Sequence, residues 1–242
     1  MTRAIILTGG KGERLHPLTK EIPKVMIPFQ GRKLLDHVID IYYKYNVFEI
    51  WLSVGHMFQK VITQYPYIYL QEGYPRGTGG WLQIIKTVPE SLALFTDSFH
   101  ANNGDNLANI NLADMMKHHK EHDFVATIAC VKIDDVRDYG AVNIKEGKIT
   151  RFKEKQNSPK PKKGYINTGY YIFSPEIFKY IPEVDKEKIQ QGIPQDPISL
   201  EKDIFPKLAR EGKLGAFTQV GQWFDVGTFE RYKKAYEEWL SV

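Results

Sequence analysis

The chain has 242 residues, 42% of them hydrophobic, which suits one large α/β domain with a real core and argues against disorder. Its 33 basic and 29 acidic residues leave a net charge of +4 with no dense Lys/Arg block. Nucleic acid is therefore not an expected partner, and a site for phosphorylated small molecules explains the balance. The lone Cys130 excludes an internal disulfide, and no run of 18 apolar residues exists to cross a membrane.

In chain order, residues 3–8 (RAIILT) form a short apolar run ending at Gly9-Gly10, the pattern of a buried parallel strand. The stretch ahead of it is too short for a signal peptide, so a reducing cytoplasm is the expected compartment. Leu34, Leu35, Val38, Ile41, Tyr42 and Tyr45 share one face of a predicted helix. Residues 49–54 predict a strand, 57–65 a short helix, 67–71 a strand, and 80–86 another helix opened by the loop Gly77 to Gly80. Residues 98–102 predict a strand running into the turn Asn103-Gly104-Asp105, followed by a helix over 112–122 and a central strand over 124–131. This alternation predicts a three-layer α/β/α fold with a mostly parallel central sheet and helices on both faces.

From about Tyr139 the pattern changes. Short strands are expected at 140–144, 148–153 and 165–173, a small antiparallel addition interrupted by Gly147 and a Pro/Lys-rich loop over 157–164. Residues 182–198 read as an excursion. A helix over 199–211, a strand over 214–219 and a final helix over 228–240 close the chain. No repeat and no clear linker stands out, so residues 1–242 are expected to form a single domain. Cys130, inside the apolar run 124–131, reads as a small buried side chain. His118, His119 and His122 read as a solvated helix end rather than a metal site. Tyr42, Tyr43, Tyr45, Tyr65, Tyr67 and Tyr69 read as core or as an oligomer interface, with a homodimer the state in view.

The main chemical signal is Gly9-Gly10-Lys11-Gly12-Glu13-Arg14-Leu15, directly after the first strand. Glycines let backbone approach a ligand, successive N–H groups make an anion nest, and Arg14 adds a fork for phosphate oxygens. The loop sits where α/β sheets bind ligands. A dinucleotide fingerprint fails at Leu15, and a P-loop lacks its Gly-Lys-Ser/Thr ending. Pro17 and Pro23 forbid an immediate helix, so the loop is long enough to return Lys24 to the same phosphates.

GGKGERLHPLT followed by PKVMIP resembles the signature of the sugar-1-phosphate nucleotidyltransferases. Further stretches resemble that family's landmarks in order. They are the base-contacting loop Gly77-Thr78-Gly79-Gly80, the metal turn Asn103-Gly104-Asp105 and the sugar-phosphate contact Glu154-Lys155. The sugar-binding strand around Asn167 and Gly169 and the second metal aspartate, Asp225, complete the series. The resemblance implies that a sugar 1-phosphate attacks the α-phosphorus of a nucleoside triphosphate and displaces pyrophosphate, with Mg²⁺ as cofactor. Asp105 and Asp225 would hold the metal; Arg14 and Lys24 would hold the triphosphate. Leu7, Gly9, Gly10, Gly12, Glu72, Gly77, Thr78 and Gly104 would bind the nucleotide. Glu154, Lys155, Asn167 and Gly169 would bind the sugar phosphate. One of Tyr170 and Tyr171 would line the sugar pocket, since strand neighbours point opposite ways. Taken alone, Asp105 also reads as a turn residue, Asp225 as a helix N-cap and Asn167 as a turn asparagine.

Glu13 stands where the family commonly has threonine or a small residue, Val25 where it has proline, and Gln156 where proline is usual. Glu13 is therefore expected to turn away from the phosphates. Glu72 shortly precedes the Gly77 loop. If it faces the base it favours guanine, whose N1–H and 2-amino group can share one carboxylate; otherwise it is a surface residue. The length and the Gly-Thr-Gly-Gly loop also resemble guanylyltransferases for heptose 1-phosphate and mannose 1-phosphate. Uridylyl-, cytidylyl- and thymidylyltransferases of the same family remain alternatives, as does a non-catalytic nucleotide-sugar-binding regulatory subunit. A glycosyltransferase would need a metal-binding Asp-x-Asp, and Asp105-Asn106-Leu107 does not supply one. The end at Val242 leaves no room for the β-helical acyltransferase domain of longer relatives.

Overall fold

A computed structural model describes residues 2–153 and 160–240. The first strand, β1 (Arg3–Leu7), leads through two 3-10 turns to the small hairpin β2 (Pro28–Phe29) and β3 (Arg32–Lys33). Then come α1 (Leu34–Lys44), β4 (Glu49–Val54), α2 (Phe58–Ile62), β5 (Ile68–Gln71), α3 (Gly80–Thr87) and α4 (Pro89–Leu92). The middle holds β6 (Phe99–Asn103), β7 (Asn106–Ile110), α5 (Leu112–Glu121) and β8 (Ala126–Ile133). The rest is β9 (Ala141–Lys145), β10 (Lys148–Lys153), β11 (Gly164–Phe173), α6 (Lys186–Gln190), α7 (Phe205–Arg210), β12 (Leu214–Phe217), β13 (Val220–Asp225) and α8 (Phe229–Glu238).

Nine strands form one sheet in the order β5-β4-β1-β6-β11-β8-β12-β10-β9. β5, β4, β1 and β6 pair in parallel, and β8 pairs in parallel with β12. Only β11 and β10 run against the others, so the sheet is mixed in its pairing but keeps one dominant strand direction. β9 bonds both to β10 and to the first residues of β11, which closes β11, β8, β12, β10 and β9 into a ring.

Strand alternation sorts the side chains into two cores. Ala4, Ile6, Ile50, Leu52, Tyr170 and Ile172 face one layer, with α1, α8 and a separate ribbon formed by β7 and β13. Ile5, Trp51, Tyr171 and Phe173 face the other, with α3 and α7. The helical spacing read from Leu34 onward is the buried face of α1, whose start is fixed by Asp36 accepting from the Lys33 N–H at 3.0 Å. Among the described residues no helix is long and apolar enough to cross a membrane.

Several expectations change. The ribbon of β7 and β13 was not anticipated: β7 carries Asn106 and Asn109, and its partner lies far along the chain. The helix expected over 199–211 begins as a π-turn, Leu200–Ile204. Of the three histidines read as a solvated helix end, His122 is exposed and His118 half-buried, but His119 departs from that reading. His119 is buried and bonded to Thr127 Oγ1 at 2.8 Å, and burial lowers its pKa to about 4. His118 and His122 pack against the Phe124 ring. Among the described residues no cluster of three His, Cys, Asp or Glu forms a metal site.

Trp81 anchors the second core: it is fully buried, its ring meets Phe99 and Phe173 at 6.2 and 5.9 Å, and its N–H reaches Thr78 O at 2.9 Å. Trp81→Ala is expected to cost about 3–5 kcal/mol, read as a lower urea midpoint at unchanged m-value.

Candidate active site

At the carboxyl end of β1, Thr8 donates to Ser53 O from both its N–H and its hydroxyl, each at 2.8 Å, and locks the β1 and β4 ends together. The loops beyond them can then touch. A Cβ built on Gly9 would lie 3.3 Å from Gly55 N, and one on Gly55 would lie 3.2 Å from Gly9 Cα. Two glycines thus make the floor of a cavity of about 680 Å³. Glu72, just after β5, stands over that floor. Ser53 Oγ donates to its Oε1 at 2.7 Å, and Arg76 Nε donates to its carbonyl at 2.9 Å. Burial raises the Glu72 pKa, while Ser53 and Arg76 draw it back. The Arg76 guanidinium also lies 4.1 Å from the Tyr74 ring centre.

The opposite wall carries the charges. The buried Lys24 Nζ is bonded to Asp105 Oδ2. Both residues line the cavity. β13 pairs with β7 so that Asp225 faces Asn106, and Val226 N donates to Asp105 O at 3.0 Å. The two aspartates, distant in sequence, are therefore neighbours. Burial and then the charge of Asp105 raise the Asp225 pKa, with Lys24 and Arg231 opposing. Arg231 donates to Asp225 Oδ2 at 2.6 Å and to Asp138 Oδ2 at 2.9 Å, and stands 4.6 Å from the Tyr139 ring centre. Arg14 is exposed on the Glu13–Leu15 turn. Burial raises the Tyr139 phenol, and the charges of Arg231 and then Arg14 are among those acting on it, so Arg14 lies on this same side.

The remaining expected residues divide between the cavity lining, the walls behind it and the segment outside the described residues. Leu7, Gly9, Gly10, Glu72, Gly77 and Thr78 line the cavity. Thr78 is clamped from behind, accepting from Leu200 N at 2.9 Å and donating to Glu201. Gly77 packs against the Ile198 backbone, Gly104 against Leu7 O, and Gly12 against Lys24 and Thr19. Gly12 and Gly104 support the walls without lining them. Glu13 is exposed beside Lys11, as expected. Glu154 and Lys155 lie outside the described residues.

Gly169 sits against Asn103 and Asn106, which flank the Asp105 turn. Asn167 Oδ1 accepts from Gly169 N at 2.8 Å and its Nδ2 donates to the Tyr171 hydroxyl at 3.0 Å, so its amide shapes the β11 bulge. The tyrosines correct an expectation: Tyr170 and Tyr171 are each 1% exposed, and neither lines an open pocket. Tyr170 instead donates to Asn106 O at 3.0 Å. Asp225 does not cap α8, because Thr228 does. Sequence reading missed Ser53, Gly55, Arg76 and Arg231. For Arg231 a signal existed: a cation in the first turn of a helix opposes the helix dipole and needs an acidic partner.

Two carboxylates, one raised in pKa by burial and by the other's charge, form a donor set that suits a hard divalent cation also bound by phosphate oxygens. Asp105 and Asp225 would hold it.

A model of the family described as Nucleotidyl transferase matches residues 3–241. The mannose-1-phosphate guanylyltransferase catalytic subunit beta of Xenopus tropicalis is 31% identical, aligning 99% of this chain with 68% of its own length. The beta-B enzyme of Xenopus laevis is 33% identical over 93% of this chain, which spans only 61% of that protein. The crystal structure of HddC from Yersinia pseudotuberculosis complexed with GMP-PN superposes with a TM-score of 0.75 at 28% identity, covering 98% of this chain and 99% of that one.

Gly169 has φ +82, and a Cβ there would lie 2.2 Å from Asn106 Nδ2. Gly169→Ala is expected to cost at least about 2 kcal/mol in urea unfolding and to lower turnover by displacing the neighbouring Asp105 turn.

Proposed function

The chain belongs to the nucleotidyl transferase family, and from that membership we propose that it is a sugar-1-phosphate guanylyltransferase, joining GTP to heptose 1-phosphate or mannose 1-phosphate and releasing pyrophosphate. The observation that carries the reading is one cavity with Glu72 over a glycine floor at one end and Lys24 and Asp105 at the other, where the β7–β13 ribbon brings Asp225 beside Asp105. The guanine-nucleotide ligand named for HddC and the mannose-1-phosphate guanylyltransferases among the relatives support the choice of base. A 26% identical relative covering 98% of this chain, the "Probable glucose-1-phosphate cytidylyltransferase" of Bacillus subtilis, keeps cytidylyl transfer as the alternative to test.

In this reading Glu72 accepts from guanine N1–H and the 2-amino group. The loop from Gly9 to Gly12 offers backbone N–H groups to the triphosphate, and Lys24 and Arg14 neutralise it. A phosphate oxygen of the sugar attacks the α-phosphorus; that P–O bond forms as the α–β bridging bond breaks, and pyrophosphate carries away the electron pair. The chain's task is to align the two anions and offset the charge that gathers on the leaving group. Mg²⁺, held by Asp105 and Asp225, would supply further charge neutralisation. Arg231 keeps Asp225 oriented. Lys155 is assigned to the sugar phosphate, with Glu154 and Asn167 toward the sugar. The chain works as one domain in the cytoplasm, with a homodimer as the assembly to test.

Pyrophosphate release from GTP, UTP, CTP, ATP and dTTP against a panel of sugar 1-phosphates tests this. GTP should give the highest kcat/KM; a pyrimidine triphosphate in first place overturns the base assignment. Binding of nucleotide sugars without turnover would instead identify a regulatory subunit. Asp105→Asn and Asp225→Asn should each lower kcat at least about a hundredfold, with far-UV circular dichroism unchanged. GTP affinity also carries a pH signature. Protonated Glu72 loses its second acceptor, so affinity should fall as pH drops through its pKa. Because burial raises that pKa, the midpoint in a calorimetric titration should lie above 4.5.

A further inference from the structure

Ser53 is fully buried at the end of β4 and points a polar group toward the cavity's base end. Its main chain is fixed, since its carbonyl accepts both Thr8 donors. Its hydroxyl donates to Glu72 Oε1 at 2.7 Å. Glu72 is held at its own main chain too, its N–H donating to Val54 O at 3.0 Å and its carbonyl accepting from Arg76 Nε. What remains free is the carboxylate's rotation about its own side chain, and the Ser53 hydroxyl is the contact that stops it. The result is visible in the floor. A Cβ built on Gly9 would lie 3.5 Å from Oε1, and one built on Gly55 would lie 3.6 Å from Oε2. The two oxygens therefore straddle the glycine pair, one over each.

We propose that Ser53 is a positioning residue for base choice: by anchoring Oε1 it presents both oxygens of Glu72 side by side, so that two adjacent base donors are read together. The inference rests on the guanylyl reading of the cavity. A carboxylate oxygen has room for a second donor, so the Ser53 bond and a base N–H can share Oε1. Released from Ser53, the carboxylate can still accept from one donor but no longer presents a fixed pair, and the advantage of a base with two donors shrinks.

The test compares GTP with ITP, whose hypoxanthine keeps N1–H and lacks the 2-amino group, using the intact protein in isothermal titration. The titration stoichiometry counts folded sites separately from affinity. Wild type should bind GTP more tightly than ITP, and ITP more tightly than UTP. Ser53→Ala should weaken GTP about tenfold and leave ITP nearly unchanged, collapsing the GTP-to-ITP ratio, with the loss in turnover appearing in KM and not in kcat. Ser53→Cys, which preserves volume with a weaker donor, should fall between. Equal weakening of both purine nucleotides, or no weakening at full stoichiometry, overturns the role of Ser53 while leaving the guanylyl reading standing. UTP or CTP binding wild type more tightly than GTP removes the guanylyl reading itself, and the Ser53 role with it.

Discussion

Two carboxylates held side by side in a partly buried site dominate this structure. Burying a carboxylate is costly and a like charge beside it adds to the cost, and the raised pKa of Asp225 registers both in that order. Much of the surrounding architecture answers it. The ribbon of β7 and β13 forces Asp105 and Asp225 together. A buried lysine meets the first, and an arginine on the last helix meets the second. The buried Lys24 needs its acid, while the half-buried Arg231 is shared between Asp225 and Asp138. A site built this way suits the proposed pairing of phosphate anions with a divalent cation.

The base end of the cavity follows a different logic. It is made by close approach of backbone: Gly9 against Gly55, with a single carboxylate standing over the contact. In the proposed reading, charge would select a triphosphate at one end, and shape and the placement of two oxygens would select a base at the other. The ends are joined at the end of β1, where Leu7 lines the cavity wall and the next residue, Thr8, makes the bond that fixes Ser53.

Much of this was legible in the sequence because it depends on local pattern. The apolar run of β1, the helical face from Leu34 to Tyr42 and the glycine loop each announce themselves within a dozen residues. The roles of Lys24, Asp105 and Asp225 came from resemblance, and the structure brings those three together. What stayed hidden depends on distant partners. No element is expected between the Asp105 turn and the helix over 112–122, since nothing local reveals a strand whose partner is β13. Ser53 looked like one more residue of a buried strand, and only the fold sets it beside Glu72. The histidines of α5 looked solvent-facing because they follow one another among charges, yet helical geometry turns His119 inward to Thr127. One of Tyr170 and Tyr171 is expected from the sugar motif to line a pocket, but β11 lies between β6 and β8 and both rings are buried, one in each core.

The loop that carries Gly77 and Thr78 is held by residues far downstream: Gly79 N donates to Ile198 O at 2.8 Å, and Leu200 N to the Thr78 hydroxyl. Asp225 arrives later still. During synthesis the glycine loop after β1 therefore emerges long before the residues that brace the Gly77 loop and before Asp225, so a chain stalled ahead of residue 198 would hold neither the brace nor the second acid.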